Sequence, residues 1–318
     1  MGGGIMQEYT AKVQEIISEV KKVIIGKDEI IEKVLVSILA KGHILIEDIP
    51  GVGKTTLALA FSKAMELECK RLQCTPDVLP TDITGFTMYN KELGSFEYKS
   101  GAAMCNLLLA DEVNRTSSKT QSALLEVMEE GRVTVDGVTR EVPKPFIVMA
   151  TQNPIGSVGT QMLPESQLDR FMIKLTMGYP DIQSEINMLK GKHNKTPLDD
   201  VNEVVTRKDI ITMQKMVENT FIHDNIYEYI ARLVLETRQN DLIQLGVSPR
   251  GTIAITQMTK ANAFLNGRDY VTPEDVQKVF MDVVSHRILL NPKARVNNVT
   301  IQKLLMDIER KIECPEVI

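Results

Sequence analysis

The residues best suited to chemistry lie in a few short strings. The first is Asp48-Ile49-Pro50-Gly51-Val52-Gly53-Lys54-Thr55-Thr56, set after the apolar run His43–Glu47 and before a helical stretch, Leu57–Met65. A strand, a glycine turn and a helix start in that order suit a nucleotide phosphate. Gly51 and Gly53 let consecutive N–H groups curl inward, Lys54 adds a mobile positive charge, and Thr55 offers a hydroxyl to Mg²⁺. The polyphosphate then rests on the N-terminus of the helix. The usual pattern G-x-x-x-x-G-K-[ST] begins with glycine where this chain has Asp48. Asp tolerates left-handed backbone better than most residues, so the loop is expected to survive the exchange.

The second string is Asp111-Glu112, which closes the apolar run Asn106–Ala110. Two carboxylates then stand at the carboxyl end of a buried parallel strand, the edge where open α/β sheets bind ligands. Asp111 would hold Mg²⁺ through its waters, and Glu112 would orient or deprotonate an attacking water. Alone, such acids could merely start a helix; behind a phosphate loop they read as catalytic. A further apolar run, Pro145–Ala150, ends in Thr151-Gln152-Asn153-Pro154, which puts the Asn153 amide at the same edge, within reach of a γ-phosphate oxygen and the water. Arg170, in Gln167-Leu168-Asp169-Arg170-Phe171, and Arg250, in Ser248-Pro249-Arg250, are each able to stabilise charge on a transferring phosphoryl group.

The elements that must position these residues follow from periodicity. Candidate strands are His43–Glu47, Lys70–Gln73, Asn106–Ala110, Pro145–Ala150 and Phe171–Leu175, several too apolar for a sheet with one wet face, so a mostly parallel sheet covered on both sides is expected. Asp136-Gly137 marks one hairpin and Glu92-Leu93-Gly94-Ser95 another. After Pro180 the pattern turns helical: Asp181–Lys190, Arg207–Val217, Ile226–Arg238, Ser248–Leu265, Thr272–Arg287 and Asn298–Ile312. The expected division is an N-terminal segment 1–16, an α/β nucleotide-binding domain 17–180 and a small all-α lid domain 181–318. The opening MGGGI reads as an expression remnant before a native start at Met6.

With 318 residues, 37 Lys+Arg and 42 Asp+Glu, the chain is slightly acidic and long enough for about two domains. That balance, with no Trp and no appended module, argues against nucleic-acid binding. No apolar run reaches the ~18 residues of a membrane span. Four cysteines without a C-x-x-C pair fit neither a disulfide scaffold nor zinc, and a reducing cytoplasm is the expected location. Asp82-Ile83-Thr84-Gly85 matches the D-x-x-G of GTPases, but no N-K-x-D follows to read guanine.

Together these strings resemble the MoxR family of AAA+ ATPases across roughly residues 17–312. Beyond the nucleotide motifs, CTPDVLPTDITGF, LLLADEVNRTSSKTQSALLEVMEEGRVTVDG, ATQNP, LPESQLDRF and GVSPRGT look like family signatures in order. The resemblance implies a P-loop core with a helical lid, Lys54 and Thr55 as Walker A, Asp111 and Glu112 as Walker B, Asn153 as sensor 1, Arg170 as arginine finger and Arg250 as sensor 2. It also implies that Val23–Gly26, with Ile25 and Gly26, packs around adenine ahead of the first long helix. An arginine finger implies a ring, most often a homohexamer, and the two hairpins become inserts facing the pore or client. The implied activity is Mg²⁺-dependent ATP hydrolysis that remodels protein clients, in this family often beside partners with von Willebrand factor A domains. Two other readings stand beside it: the motor of a metal-insertion complex like magnesium chelatase, and an ATP-gated assembly switch with negligible turnover.

Overall fold

The computed structural model describes residues 2–49, 51–153, 163–180, 182–183, 185–186 and 197–316. The chain begins with α1 (Gly2–Lys21), α2 (Asp28–Leu39), β1 (Ile44–Glu47), α3 (Lys54–Ala64) and β2 (Cys69–Gln73). A short helix α4 (Pro80–Thr84) leads into the hairpin β3 (Phe86–Asn90) and β4 (Ser95–Lys99). Then follow β5 (Leu107–Asp111), α5 (Ser118–Glu130), the hairpin β6 (Arg132–Val135) and β7 (Val138–Glu141), β8 (Ile147–Gln152), α6 (Glu165–Leu168) and β9 (Ile173–Leu175). The remainder comprises α7 (Arg207–Glu218), α8 (Asp224–Gln239), β10 (Ile243–Leu245), α9 (Pro249–Leu265), α10 (Pro273–Val284), β11 (Leu289–Leu290), α11 (Pro292–Val296) and α12 (Ile301–Lys311). The helix expected over 181–190 falls largely outside the described residues.

Five strands pair in the order β2-β5-β8-β1-β9, and every neighbouring pair is parallel. Their side chains alternate between two covers. Ile44, Ile46, Leu107, Leu109, Ile147 and Met149 join a core completed by α1, α2, α3 and the C-terminal helices, whereas Leu45, Leu108, Ala110, Val148 and Ala150 pack toward α5. Both faces are therefore dry, which is why the central strands read as continuous apolar runs. Both expected hairpins form, and Asp136 and Gly137 take the positive φ values that a two-residue turn of this kind requires.

Two expectations need correction: the place of the first long helix and the start of the helix after the glycine turn. Residues 2–16 of the N-terminal segment belong to α1, which starts at Gly2 and buries Val13, Ile16, Ile17 and Val20. That spacing is one helical face, and each burial contributes about 1.5–3 kcal/mol, enough to offset a glycine-rich start. The first long helix thus precedes Val23–Gly26 rather than following it. The helix after the glycine turn begins at Lys54, three residues earlier than expected, because Gly53 adopts the left-handed cap conformation directly before it. The D-x-x-G string, which lacks its guanine-reading companion, is a structural joint. Asp82 accepts a hydrogen bond from the Leu79 N–H at 2.8 Å and so closes the first turn of α4.

Gly101 locks that joint. A Cβ there would lie 2.2 Å from the Ile83 carbonyl oxygen and 2.4 Å from the Gly85 nitrogen, both backbone atoms that cannot swing aside. Gly101→Ala should cost about 1–3 kcal/mol and lower the melting temperature measured by calorimetry. An unchanged Tm would mean that the base of the first hairpin relaxes freely.

Candidate active site

The carboxyl edge of the sheet gathers one group of predicted residues. Gly51 and Gly53 have φ of 88° and 95°, so the loop curls with a conformation side chains resist. Among the described residues other than its chain neighbours, no atom lies within 4 Å of where a Gly51 Cβ would stand, which leaves open space beside the loop. Val52, Thr55 and Thr56 are partly buried here, and Pro50 lies outside the described residues. Lys54 is buried, and its Nζ donates to the Asp48 carbonyl at 2.8 Å. Burial lowers its pKa, against the opposing pull of Asp111, Asp48 and Glu112. A lysine kept from water beside carboxylates is held ready for an anionic ligand.

Asp48 is not in the left-handed region expected for it. It is buried instead, and its carboxylate accepts from the Ile49 N–H at 2.8 Å and the Gly178 N–H at 2.6 Å. It therefore ties the phosphate loop to the segment where the chain leaves the sheet. Lys27 braces the same segment by donating to the carbonyls of Met177 and Tyr179. Ile24 and Met177 each come within 4.0 Å of a Cβ built at Gly53. In the Val23–Gly26 turn it is Ile24 that is buried against the loop, while Ile25 is partly covered and Gly26 exposed. Asp48→Ala leaves two backbone donors unmatched. Charge-assisted hydrogen bonds contribute about 1.5–3 kcal/mol each, so ATP affinity should fall by about tenfold or more in a fluorescent-nucleotide titration. Unchanged affinity would show that the loop holds its shape without the tie.

The acidic pair and the amide interlock. Thr151 donates through Oγ1 to Asp111 at 2.6 Å and accepts from the Glu112 N–H at 2.8 Å. Arg71 pairs with the other Asp111 oxygen at 2.7 Å. Glu112 sits at φ 58°, an uncommon value for a non-glycine residue. Its carboxylate is engaged by Arg115 at 2.8 Å and by the Asn153 amide at 3.2 Å. Arg115 holds its pKa below the ordinary carboxylate range, against burial that raises it. Asn114 orients Asn153 by accepting from its N–H at 3.3 Å and donating to its carbonyl. The Asn153 Oδ1 is buried and has no partner among the described residues, an acceptor free for a water or ligand donor. Cys74, at the end of β2, is a buried thiol with a pKa pushed up to about 12 by burial and both carboxylates, so it stays neutral there.

Arg170 and Arg250 are elsewhere. They pair with opposite oxygens of Glu129 and line a cavity of ≈380 Å³ together with Lys41, Gly42, His43 and Met172. Gly42 and His43 precede β1 and Met172 precedes β9, so this is the amino edge of the sheet. Four residues of β1 separate it from Asp48, roughly 13 Å of strand. Within one chain Arg250 therefore does not join Lys54 and Asp111 around a nucleotide, contrary to the expected set. The packing of α9 against α2, α7 and α10 sets that position.

Some participants escaped the sequence reading. Thr151, Asn114 and Arg71 meet the acidic pair only through neighbouring strands and loops. Glu129 carries no signal beyond lying on a helix whose last turn reaches the amino edge.

The sequence model of the ATPase family associated with various cellular activities (AAA) matches residues 43–173, and that of the AAA lid domain matches 235–308. The YeaC protein of Bacillus subtilis is 46% identical over 94% of this chain and 93% of its own length. The chaperone MoxR1 of Mycobacterium tuberculosis is 37% identical over 96% of this chain and 83% of its own. This chain belongs to the MoxR family of AAA+ ATPases. The MoxR-type fold extends along its length: a crystal structure from Cytophaga hutchinsonii, provisionally described as an ATPase, superposes with a TM-score of 0.90 at 38% identity, covering 98% of this chain and 97% of that one. A magnesium-chelatase subunit homologue of Methanocaldococcus jannaschii is 27% identical over 59% of this MoxR-family chain and 51% of its own length. Among the described residues no helix is long and apolar enough to cross a membrane.

Proposed function

We propose that the chain is a Mg²⁺-dependent ATP hydrolase that assembles into a homohexameric ring and remodels protein clients. The observation that carries this reading is the division of the polar residues between two sheet edges. Lys54, Thr55, Asp111, Glu112 and Asn153 gather at the carboxyl edge, whereas Arg170 and Arg250 converge at the amino edge. Arginines that cannot reach their own chain's phosphate loop are suited to a neighbour's, and repetition of that heterologous contact closes a ring.

The roles follow from the geometry. Backbone N–H groups of residues 51–56 and the Lys54 ammonium would bind the β- and γ-phosphates, with Ile24, Ile25 and Gly26 beside the base. Thr55 and Asp111 fit Mg²⁺, which takes hard oxygen ligands and accepts one or two from protein when phosphates supply the others. The orphaned Asn153 oxygen and the open space beside Gly51 are consistent with that fit. When bound, the ion neutralises charge on the phosphate oxygens. Glu112 takes the proton of a water that Asn153 holds. The neighbour's Arg170 and Arg250 stabilise the charge developing on the transferred group. We assign residues 17–180 to the motor and 181–318 to the lid, with cytoplasmic location and, on the client side, adaptors that include von Willebrand factor A domains. The two hairpins adjoin through Arg140, whose guanidinium lies 4.0 Å from the Tyr98 ring centre, and present Phe86, Tyr89, Phe96 and Val138 to solvent. They are the proposed client-contacting surface.

The partial match to a magnesium-chelatase subunit favours a second reading, a motor for metal insertion. Retention of tetrapyrrole-binding partners by the purified ring would select it; retention of protein clients alone selects remodelling. The primary test is phosphate release from ATP by the assembled chain, expected to need Mg²⁺ and to vanish in Lys54→Ala. An assembled ring that binds ATP and releases none would leave the assembly-switch reading.

A further inference from the structure

Arg287 is nearly fully buried at the end of the region bearing α10, and its guanidinium is fully engaged. Its Nε donates to the Asp169 carboxylate at 2.9 Å. Its terminal nitrogens donate to the carbonyls of Asp169 at 3.2 Å, Phe171 at 2.5 Å and Met172 at 3.0 Å, and also to Val283. The carbonyls of Asp169, Phe171 and Met172 bracket Arg170 in the turn between α6 and β9. The second Asp169 oxygen accepts from the Ser248 hydroxyl at 2.8 Å. Ser248 in turn caps α9, with its oxygen accepting from the Gly251 N–H at 3.0 Å, and α9 carries Arg250 in its first turn. A Cβ at Gly251 would stand 2.9 Å from Arg287 Cδ, so glycine there lets the buried side chain pass.

We infer that Arg287, Asp169 and Ser248 form a yoke that sets the spacing between Arg170 and Arg250, making these three positioning residues for hydrolysis on the neighbouring subunit. This rests on the proposed action of the two arginines across a ring interface. The physical case is connectivity. Arg170 follows Asp169 directly in the chain, Arg250 lies on the helix tied to the Asp169 carboxylate through Ser248, and both arginines meet Glu129. A planar guanidinium is required at 287, because a lysine ammonium cannot donate to a carboxylate and three diverging carbonyls from one plane. A displacement of the order of 1 Å in a charged group acting on a transition state can cost about 10²-fold in rate.

The test uses the full chain as an assembled ring. Ser248→Asp preserves a good helix cap but sets a carboxylate against Asp169. It should lower kcat for ATP by about 10²-fold with KM and nucleotide affinity unchanged, whereas Ser248→Thr, which keeps the hydroxyl, should restore turnover. Asp169→Asn should behave as Ser248→Asp does. Each slow variant should regain turnover when mixed with Lys54→Ala, whose arginines are intact, because its own phosphate loop is undamaged. Mixing Arg170→Ala with Lys54→Ala is the reference arm. If that reference regains activity and Ser248→Asp does not, or if Ser248→Asp turns over at the unaltered rate, the yoke is overturned while the proposed function stands. If the reference itself regains nothing, action across the interface fails and the yoke fails with it.

Discussion

Glu112→Gln should bind ATP as tightly as the unaltered chain and hydrolyse it about 10²–10⁴-fold more slowly. Glutamine matches glutamate in size, and its one oxygen keeps the hydrogen bond from Asn153 while the half-exposed Arg115 pair is given up to solvent, a small cost to the turn at φ 58°. What it loses is the charge that takes a proton. In the unaltered chain Arg115 keeps Glu112 below the ordinary carboxylate range, so the base is ionised at neutral pH. Single-turnover hydrolysis measured beside nucleotide binding separates the two effects. A glutamine variant that keeps most of its turnover would remove Glu112 from the chemistry and shift attention to Asp111. The same variant is the natural trap for clients, since a ring stalled with ATP should retain what it engages.

The second large effect is expected at Arg170. Arg170→Ala should reduce hydrolysis by about 10³–10⁵-fold and leave nucleotide binding intact, as for a finger supplied by a neighbouring molecule. In a ring of Arg170→Ala and Lys54→Ala subunits, some interfaces place an intact phosphate loop opposite an intact arginine. Turnover should therefore reappear on mixing two inactive proteins. Purely additive loss at every ratio would sink the ring mechanism. Arg170 also pairs with Glu129 and donates to the Leu125 carbonyl at 3.1 Å. Assembly must therefore exchange the Glu129 contact for phosphate. Exposed pairs of this kind contribute at most about 1 kcal/mol, so the exchange costs little.

Much of the site was legible because its parts are local. A phosphate loop needs a strand, a glycine turn and a helix start in succession, and all three are contiguous around Gly51–Thr55. Asp111-Glu112 and Asn153 each close an apolar strand, and parallel pairing then delivers every strand end to one edge. The five strands and both hairpins could be read for the same reason, since alternation and turn residues act over a few positions. Asp48 marks where local reasoning stopped. Its identity suggested backbone tolerance, but its function is a hydrogen bond to Gly178, 130 residues away.

Residue types and their spacing thus determined the sheet, the phosphate loop and the residues available for hydrolysis. Only tertiary packing decided that α1 belongs to the core, because its buried face is rewarded by partners far along the chain rather than by its own glycine-rich start. Packing also decided where the two arginines lie. Their neighbours in sequence carry no information on which edge of the sheet α9 will cover. That edge is chosen by the long-range contacts of α9 and by Arg287, which reaches from position 287 to the turn at 169–172. Hydrogen bonds that span such separations form only when the whole chain is folded, so the division of the proposed catalytic set between two edges became visible in three dimensions.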